Sequence, residues 1–224
     1  MADAQAREKI LGAFLTLLAE KRFERIELSE IAKLANVTLA DLRGEFGSTF
    51  DMIAAFMRET DKKVLSGGEQ SKPDPELADQ PARDRLFEVL MRRFEALAPY
   101  REAVRSLANS ARGNPRLALG LNKLAVRSQQ WMLSAAGIGS SGLVGGMRAQ
   151  GLAAMFAQVT MTWLHDEDPG LARTMAALDR QLEKGERLAN FMNGLCRFVP
   201  GRGPSRHSRR DEQFPADPNA PAAI

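Results

Sequence analysis

The chain has 224 residues, 44% of them hydrophobic but only 6% aromatic, a balance that favours helices packed on helices over a β-sandwich or barrel. A single cysteine, Cys196, excludes an internal disulfide and a thiolate zinc site, and two histidines, His165 and His207, leave little for metal ligation or histidine-based catalysis. The formal net charge of +3 is unevenly spread: residues 1–65 hold ten Lys and Arg against eleven Asp and Glu, whereas residues 82–148 hold eleven against four.

No apolar run approaches the roughly 20 residues of a membrane span, and MADAQAREKI is too polar for a secretory signal, so a cytoplasmic protein is expected. The first helix is predicted over 7–22, where Ile10, Phe14, Leu17 and Leu18 form one apolar stripe. A second, over 28–35, buries Leu28, Ile31 and Leu34, and Asn36 follows as a residue that tolerates the left-handed turn. Thr38-Leu-Ala-Asp41 reads as a capping box opening a third helix through Glu45, and Ser48-Thr-Phe-Asp51 repeats the device for a fourth over 49–65.

Residues 66–81, with three prolines and two glycines, read as a linker. Helical spacing resumes at 82–97 with Leu86, Phe87, Leu90, Phe94 and Leu97, then at 100–112 and 115–136, with Pro115 in a first helical turn. A glycine-rich break is expected at 137–146. Two long helices, 147–165 and 169–198, close the fold, and the proline-rich 199–224 reads as a disordered tail.

Gly137-Ile-Gly-Ser-Ser-Gly142 spells a GxGxxG pattern, but the residues before it are in helical register and no strand precedes it, so an interhelical loop is expected. His165-Asp-Glu-Asp168 lies between two helices and reads as a turn with Asp168 capping the last helix. No catalytic set can be assembled, so neither an enzyme nor a bound cofactor or metal is expected.

The helix–turn–helix of 28–45 has a length that can lay a second helix across a DNA major groove, and its periodicity equally fits an ordinary helical corner. Ile31-Ala-Lys-Leu-Ala-Asn-Val37-Thr-Leu-Ala-Asp-Leu42 followed by Phe46-Gly-Ser-Thr-Phe-Asp-Met52 resembles the N-terminal domain of the TetR family of bacterial transcriptional regulators. The resemblance implies an all-α, two-part protein: a DNA-binding domain at 1–65, and a ligand-binding and dimerisation domain at 82–198. It implies a homodimeric repressor that binds a palindromic double-stranded operator and answers to a small lipophilic effector. Thr38, Leu39, Ala40 and Arg43 would face bases or phosphates, with Ser48 and Thr49 beside the DNA backbone. An effector pocket would involve Phe94, Met132, Met155 and Trp163, and Phe156, Val159, Leu178 and Leu182 would pair with their copies. The chain departs from the family at Asn36, Arg43 and Thr49, where Gly, Tyr and Lys are usual. Residues 148–183 are also similar to the lipid-binding coenzyme-Q biosynthesis accessory family. That implies, as the alternative, a lipid carrier of this fold without operator recognition, its basic middle segment facing an anionic membrane surface.

Overall fold

The computed structural model describes residues 2–70 and 80–196, and every regular element among them is helical. In chain order they are α1 (Ala2–Glu20), α2 (Leu28–Ala35), α3 (Leu39–Glu45), α4 (Thr49–Gln70), α5 (Ala82–Leu97), α6 (Arg101–Gly113), α7 (Pro115–Ala135), α8 (Gly142–Leu164) and α9 (Ala172–Cys196). Short 3-10 turns lie at Phe23–Arg25 and Ala98–Tyr100.

The predicted helix starts hold where a local cap dictates them. Thr38 Oγ1 accepts from the Asp41 amide at 3.1 Å while Asp41 Oδ2 accepts from the Thr38 amide at 3.1 Å, so two otherwise orphaned donors are satisfied reciprocally. Ser48 Oγ likewise accepts from the Asp51 amide at 3.2 Å. Asn114 Oδ1 caps α7 by accepting from the Leu117 amide at 3.1 Å, and Pro115 occupies the first turn. Asn36 ends α2 with φ 54°, the left-handed turn that its residue type predicted.

Several boundaries differ from the sequence reading: the first helix spans Ala2–Glu20 rather than 7–22, and the last begins at Ala172 rather than 169. The fourth helix runs on to Gln70, so the first residues of the expected linker are helical; Ser66 Oγ donates to the Lys62 carbonyl at 2.7 Å within it. The eighth begins at Gly142 inside the expected glycine-rich break. There Gly145 packs so tightly that a Cβ would come within 2.2 Å of the Ser140 carbonyl carbon, so that glycine is demanded by close approach rather than by a flexible loop. Gly137 ends α7 with φ 71°. The rest of the expected linker, 71–79, and the tail at 199–224 lie outside the described residues, as does the side chain of Cys196.

Residues Met1–Leu188 form one compact unit with a continuous apolar core from Ile10 to Leu182. Helix α1 packs on α2, α4 and α6; α4 packs on α5 and α7; α7 packs on α8. Ile10, Phe14 and Leu18 fill the α1 side, and Leu90, Phe94, Met132 and Trp163 the other. The helix–turn–helix thus rests on α1, which packs in turn on α4 and α6.

The turn between α8 and α9 is built from its acids. Asp168 Oδ2 accepts from the Ala172 amide at 3.1 Å, the capping role expected of it, and Asp166 takes both the amide and hydroxyl of Thr174, at 2.8 and 2.7 Å. The Thr174 hydroxyl first, with that amide, holds the Asp166 carboxyl below the usual range. Leu171 sits here with φ 54°, an unfavourable conformation for a leucine.

Much of the basic surplus of 82–148 has a structural use. Arg101 Nη2 donates to the carbonyls of Trp163 at 2.6 Å and Asp166 at 2.9 Å, and Arg105 Nη2 to that of Leu164 at 2.5 Å. Arg85 Nε donates to the Ala136 carbonyl at 3.0 Å. Cations at helix C-termini satisfy carbonyls that lack an intrahelical partner and face the negative end of the dipole.

Candidate nucleic-acid interface and the core behind it

Helix α3 is held at both ends. Its N-terminus has the Thr38–Asp41 box, in which the Thr38 hydroxyl also donates to Asp41 Oδ2 at 2.7 Å. That hydroxyl, with the Thr38 amide, keeps the Asp41 carboxyl below its ordinary value. At its C-terminus, Arg7 reaches over from α1. Arg7 Nη1 donates to the Glu45 carbonyl at 3.1 Å, and its guanidinium lies 4.4 Å from the centre of the Phe46 ring. Leu42 and Phe46 anchor the inner face in the core. Arg7 escaped the sequence reading because it is 38 residues from its partner.

The outer face carries the predicted contact residues. Thr38, Leu39, Ala40 and Arg43 are exposed together on α3 and its cap. Leu39 is 56% exposed, which is high for a leucine on a folded helix. Ser48 and Thr49 are half-buried at the start of α4, and Ser48 Oγ donates to Asp51 Oδ2 at 2.9 Å. Leu28 and Leu34, expected inside, are 42% and 52% exposed, because α2 turns Ile31, Ala32 and Ala35 inward instead. Arg43 is the only basic residue of α3.

Behind this module, Phe94, Met132 and Trp163 of the predicted effector set are buried in the core, and Met155 packs against it. Phe94 and Trp163 meet with ring centroids 5.6 Å apart, and Phe94 stacks on Phe156 at 4.7 Å. Met132 is fully buried on α7, and Met155 is half-buried on α8. An open groove of about 670 Å³ is instead lined by Arg116, Leu119, Lys123, Val126 and Gln150, and includes none of the four predicted residues.

The four residues expected to pair with their copies make contacts inside the chain. Val159 and Leu178 are 1% and 0% exposed and Leu182 is buried, while Phe156 is covered by Phe94 and the Arg93 guanidinium; all four are engaged within the chain. The surface that α8 leaves open lies around the helix from them, at Leu143, Met147, Gly151 and Ala154.

One cluster was missed altogether. Arg93 on α5 pairs with Asp61 on α4, and Ser128 on α7 donates to Asp61 Oδ1 at 2.7 Å, with all three side chains buried. A signal existed in the sequence. Asp61 falls on the buried stripe of Ile53, Phe56, Thr60 and Val64, and Arg93 on that of Leu86, Leu90, Phe94 and Leu97, so each puts a charge where a core face is due.

The fold is that of TetR transcriptional regulators. A TetR regulator from Nitrosomonas europaea superposes with a TM-score of 0.62 at 22% identity over 80% of this chain and 96% of that one. One from Rhodococcus sp. RHA1 gives 0.58 at 19% identity, over 82% and 96% of the two chains. A third, a TetR-family regulator from Streptomyces coelicolor, gives 0.51 at 14% identity, over 90% and 92%. No protein-family model and no curated relative matches the chain. The second resemblance, of residues 148–183 to the coenzyme-Q accessory family, finds no support in these comparisons. Among the described residues, no helix is long and apolar enough to cross a membrane.

Proposed function

We propose that the chain is a DNA-binding transcriptional regulator, not an enzyme, that acts as a homodimer on a palindromic operator and is released by a small lipophilic effector. The observation that carries this reading is α3 itself: a short helix capped at both ends, seated on Leu42 and Phe46, with Thr38, Leu39, Ala40 and Arg43 turned outward together. A helix of that length and exposure fits a major groove, where Arg43 can take a guanine edge or a phosphate and Leu39 a thymine methyl. Ser48 and Thr49 open the next helix beside the path of the DNA backbone.

Dimerisation is assigned to the open stripe of α8. Leu143, Met147, Gly151 and Ala154 recur on one face, and the small residues at 151 and 154 let two copies approach closely. A two-fold pair of this kind presents two α3 helices to successive grooves.

The test is selection of bound fragments from random duplex DNA with the full chain. A reproducible palindrome, lost with Arg43→Ala, is the expected result. With one cation on α3 and a net-acidic N-terminal segment, the dependence of log affinity on log salt should be shallow, about four phosphate contacts or fewer per protomer. Thr49→Lys should steepen it by about one unit per protomer. Folded protein that enriches no sequence overturns the reading.

A further inference from the structure

We infer that the groove along α7 is a docking surface for an acidic amphipathic helix of a partner protein. This goes beyond the regulator reading and does not depend on which operator the chain binds.

Charge is left over on this part of the chain. Residues 103–165 hold six Lys and Arg and no Asp or Glu. Arg105 places its guanidinium on the carbonyl of Leu164, and Arg148 donates to that of Gly139 at 3.2 Å. Arg116 and Lys123 have no such use. Both are exposed on α7, and neither makes an ion pair or a hydrogen bond among the described residues. The two line the open groove of about 670 Å³ together with Leu119 and Val126, and Leu119 is 72% exposed.

Along α7 the order is cation, apolar, cation, apolar at 116, 119, 123 and 126. Steps of three and four keep all four on one helical face. Leu119 and Val126 are seven residues apart, as are Arg116 and Lys123, so the face presents an apolar seam flanked by a row of cations. A helix laid along that seam offers apolar side chains to Leu119 and Val126 and carboxylates to the cations, as flanking charges select partners in paired helices.

The groove is also set in advance. Asn122 on α7 and Gln150 on α8, both in its lining, exchange two amide hydrogen bonds of 3.1 Å each. Gly120 lies so close to Phe50 that a Cβ would meet the ring at 2.8 Å, which holds α7 against the start of α4. Little ordering is left to the binding step. Other occupants fit less well. A two-fold second copy sets these cations against themselves, because α7 and α8 contain no carboxylate to answer them. A phosphate backbone answers the cations but leaves the apolar seam wet.

The experiment titrates the full chain into a fluorescent peptide of about three heptads, with Leu at positions a and d, Glu at e and g and Ala elsewhere. Like charges keep that peptide from pairing with itself. A twin with Lys for Glu, phosphatidylserine vesicles and a random-sequence duplex are the comparisons. The Glu peptide should bind more tightly than the Lys peptide by about tenfold or more. Arg116→Glu with Lys123→Glu should reverse that preference, and Leu119→Gln should weaken the Glu peptide by about threefold or more. Both reversed side chains are exposed and unpartnered, so the variant should melt at the parent temperature and keep its assembly state by light scattering. Equal binding of the two peptides, no binding of the Glu peptide, or an unreversed preference overturns the assignment. A changed assembly state gives the groove to a second copy, and loss of vesicle or duplex binding alone gives it to lipid or nucleic acid; each overturns it too. Enriched DNA in the fragment selection without peptide binding removes the docking surface and leaves the regulator; peptide binding without enriched DNA does the reverse.

Discussion

The two ends of this chain handle polarity in opposite ways. In the helix–turn–helix, the polar contacts sit at helix ends and on the surface, as in the Thr38–Asp41 box, the Ser48–Asp51 pair and the Arg7 contact with Glu45, over an interior of Ile10, Phe14, Leu42 and Phe46. Where α4 meets α5 and α7, Asp61, Arg93, Ser128 and Gln129 are instead buried together. An apolar interior has a single good packing and makes the first region rigid. A buried charge pair is held by its mutual attraction, so loss of either partner leaves an uncompensated charge in the second region.

The sharpest way to break this comparison is to remove one charge. Arg93→Ala strands the Asp61 carboxylate in the core and should cost about 3–5 kcal/mol in denaturant unfolding, whereas Arg93→Met with Asp61→Leu should lie within about 1 kcal/mol of the parent. Equal losses from the two would show that packing, not charge, governs the site. The turn after α2 should respond less. Asn36, at φ 54°, should lose about 1–2 kcal/mol on replacement by Val and only a few tenths on replacement by Gly, read from chemical denaturation.

The smallest effects belong to the cap. Thr38→Ala should cost about 1 kcal/mol. Because the folded Asp41 carboxyl titrates below its ordinary 3.8, it stabilises the fold above that value, and the contribution is lost as pH falls through the lower folded one. Asp41→Asn should therefore be less stable than the parent at neutral pH and converge with it as pH falls below the folded value. Parallel stability–pH curves for the two proteins would contradict the cap assignment.

The same contrast explains what the sequence disclosed. Caps are local: Thr38 and Asp41 are three residues apart, Asn36 acts through its own backbone, and the starts at 28, 39 and 49 follow from such short-range chemistry. The exception is Glu27, whose amide donates to Glu30 Oε2 at 3.1 Å, a pairing hidden because glutamate is not a usual N-cap residue. Burial phase on the long helices was not legible. In α8, Leu143, Met147, Phe156, Val159 and Trp163 fall on more than one side, so periodicity alone cannot say which face α7 covers and which stays open. Hence Phe156 and Val159 seemed free for a partner and are core. The Arg93–Asp61 pair joins residues 32 apart through a tertiary contact, and only the lone charge on each apolar stripe announced it.

The placement of the two tryptophans gives the molecule a built-in optical division of labour. Trp163 is 1% exposed, beside Phe94 and with the Arg101 guanidinium 4.8 Å from its ring centre, whereas Trp131 on α7 is 58% exposed. The buried indole emits from a rigid apolar setting at shorter wavelength, and the exposed one emits further to the red, within reach of an aqueous quencher. Acrylamide silences Trp131 first, so the emission that survives reports the aromatic wall around Arg93 without any label attached to the chain.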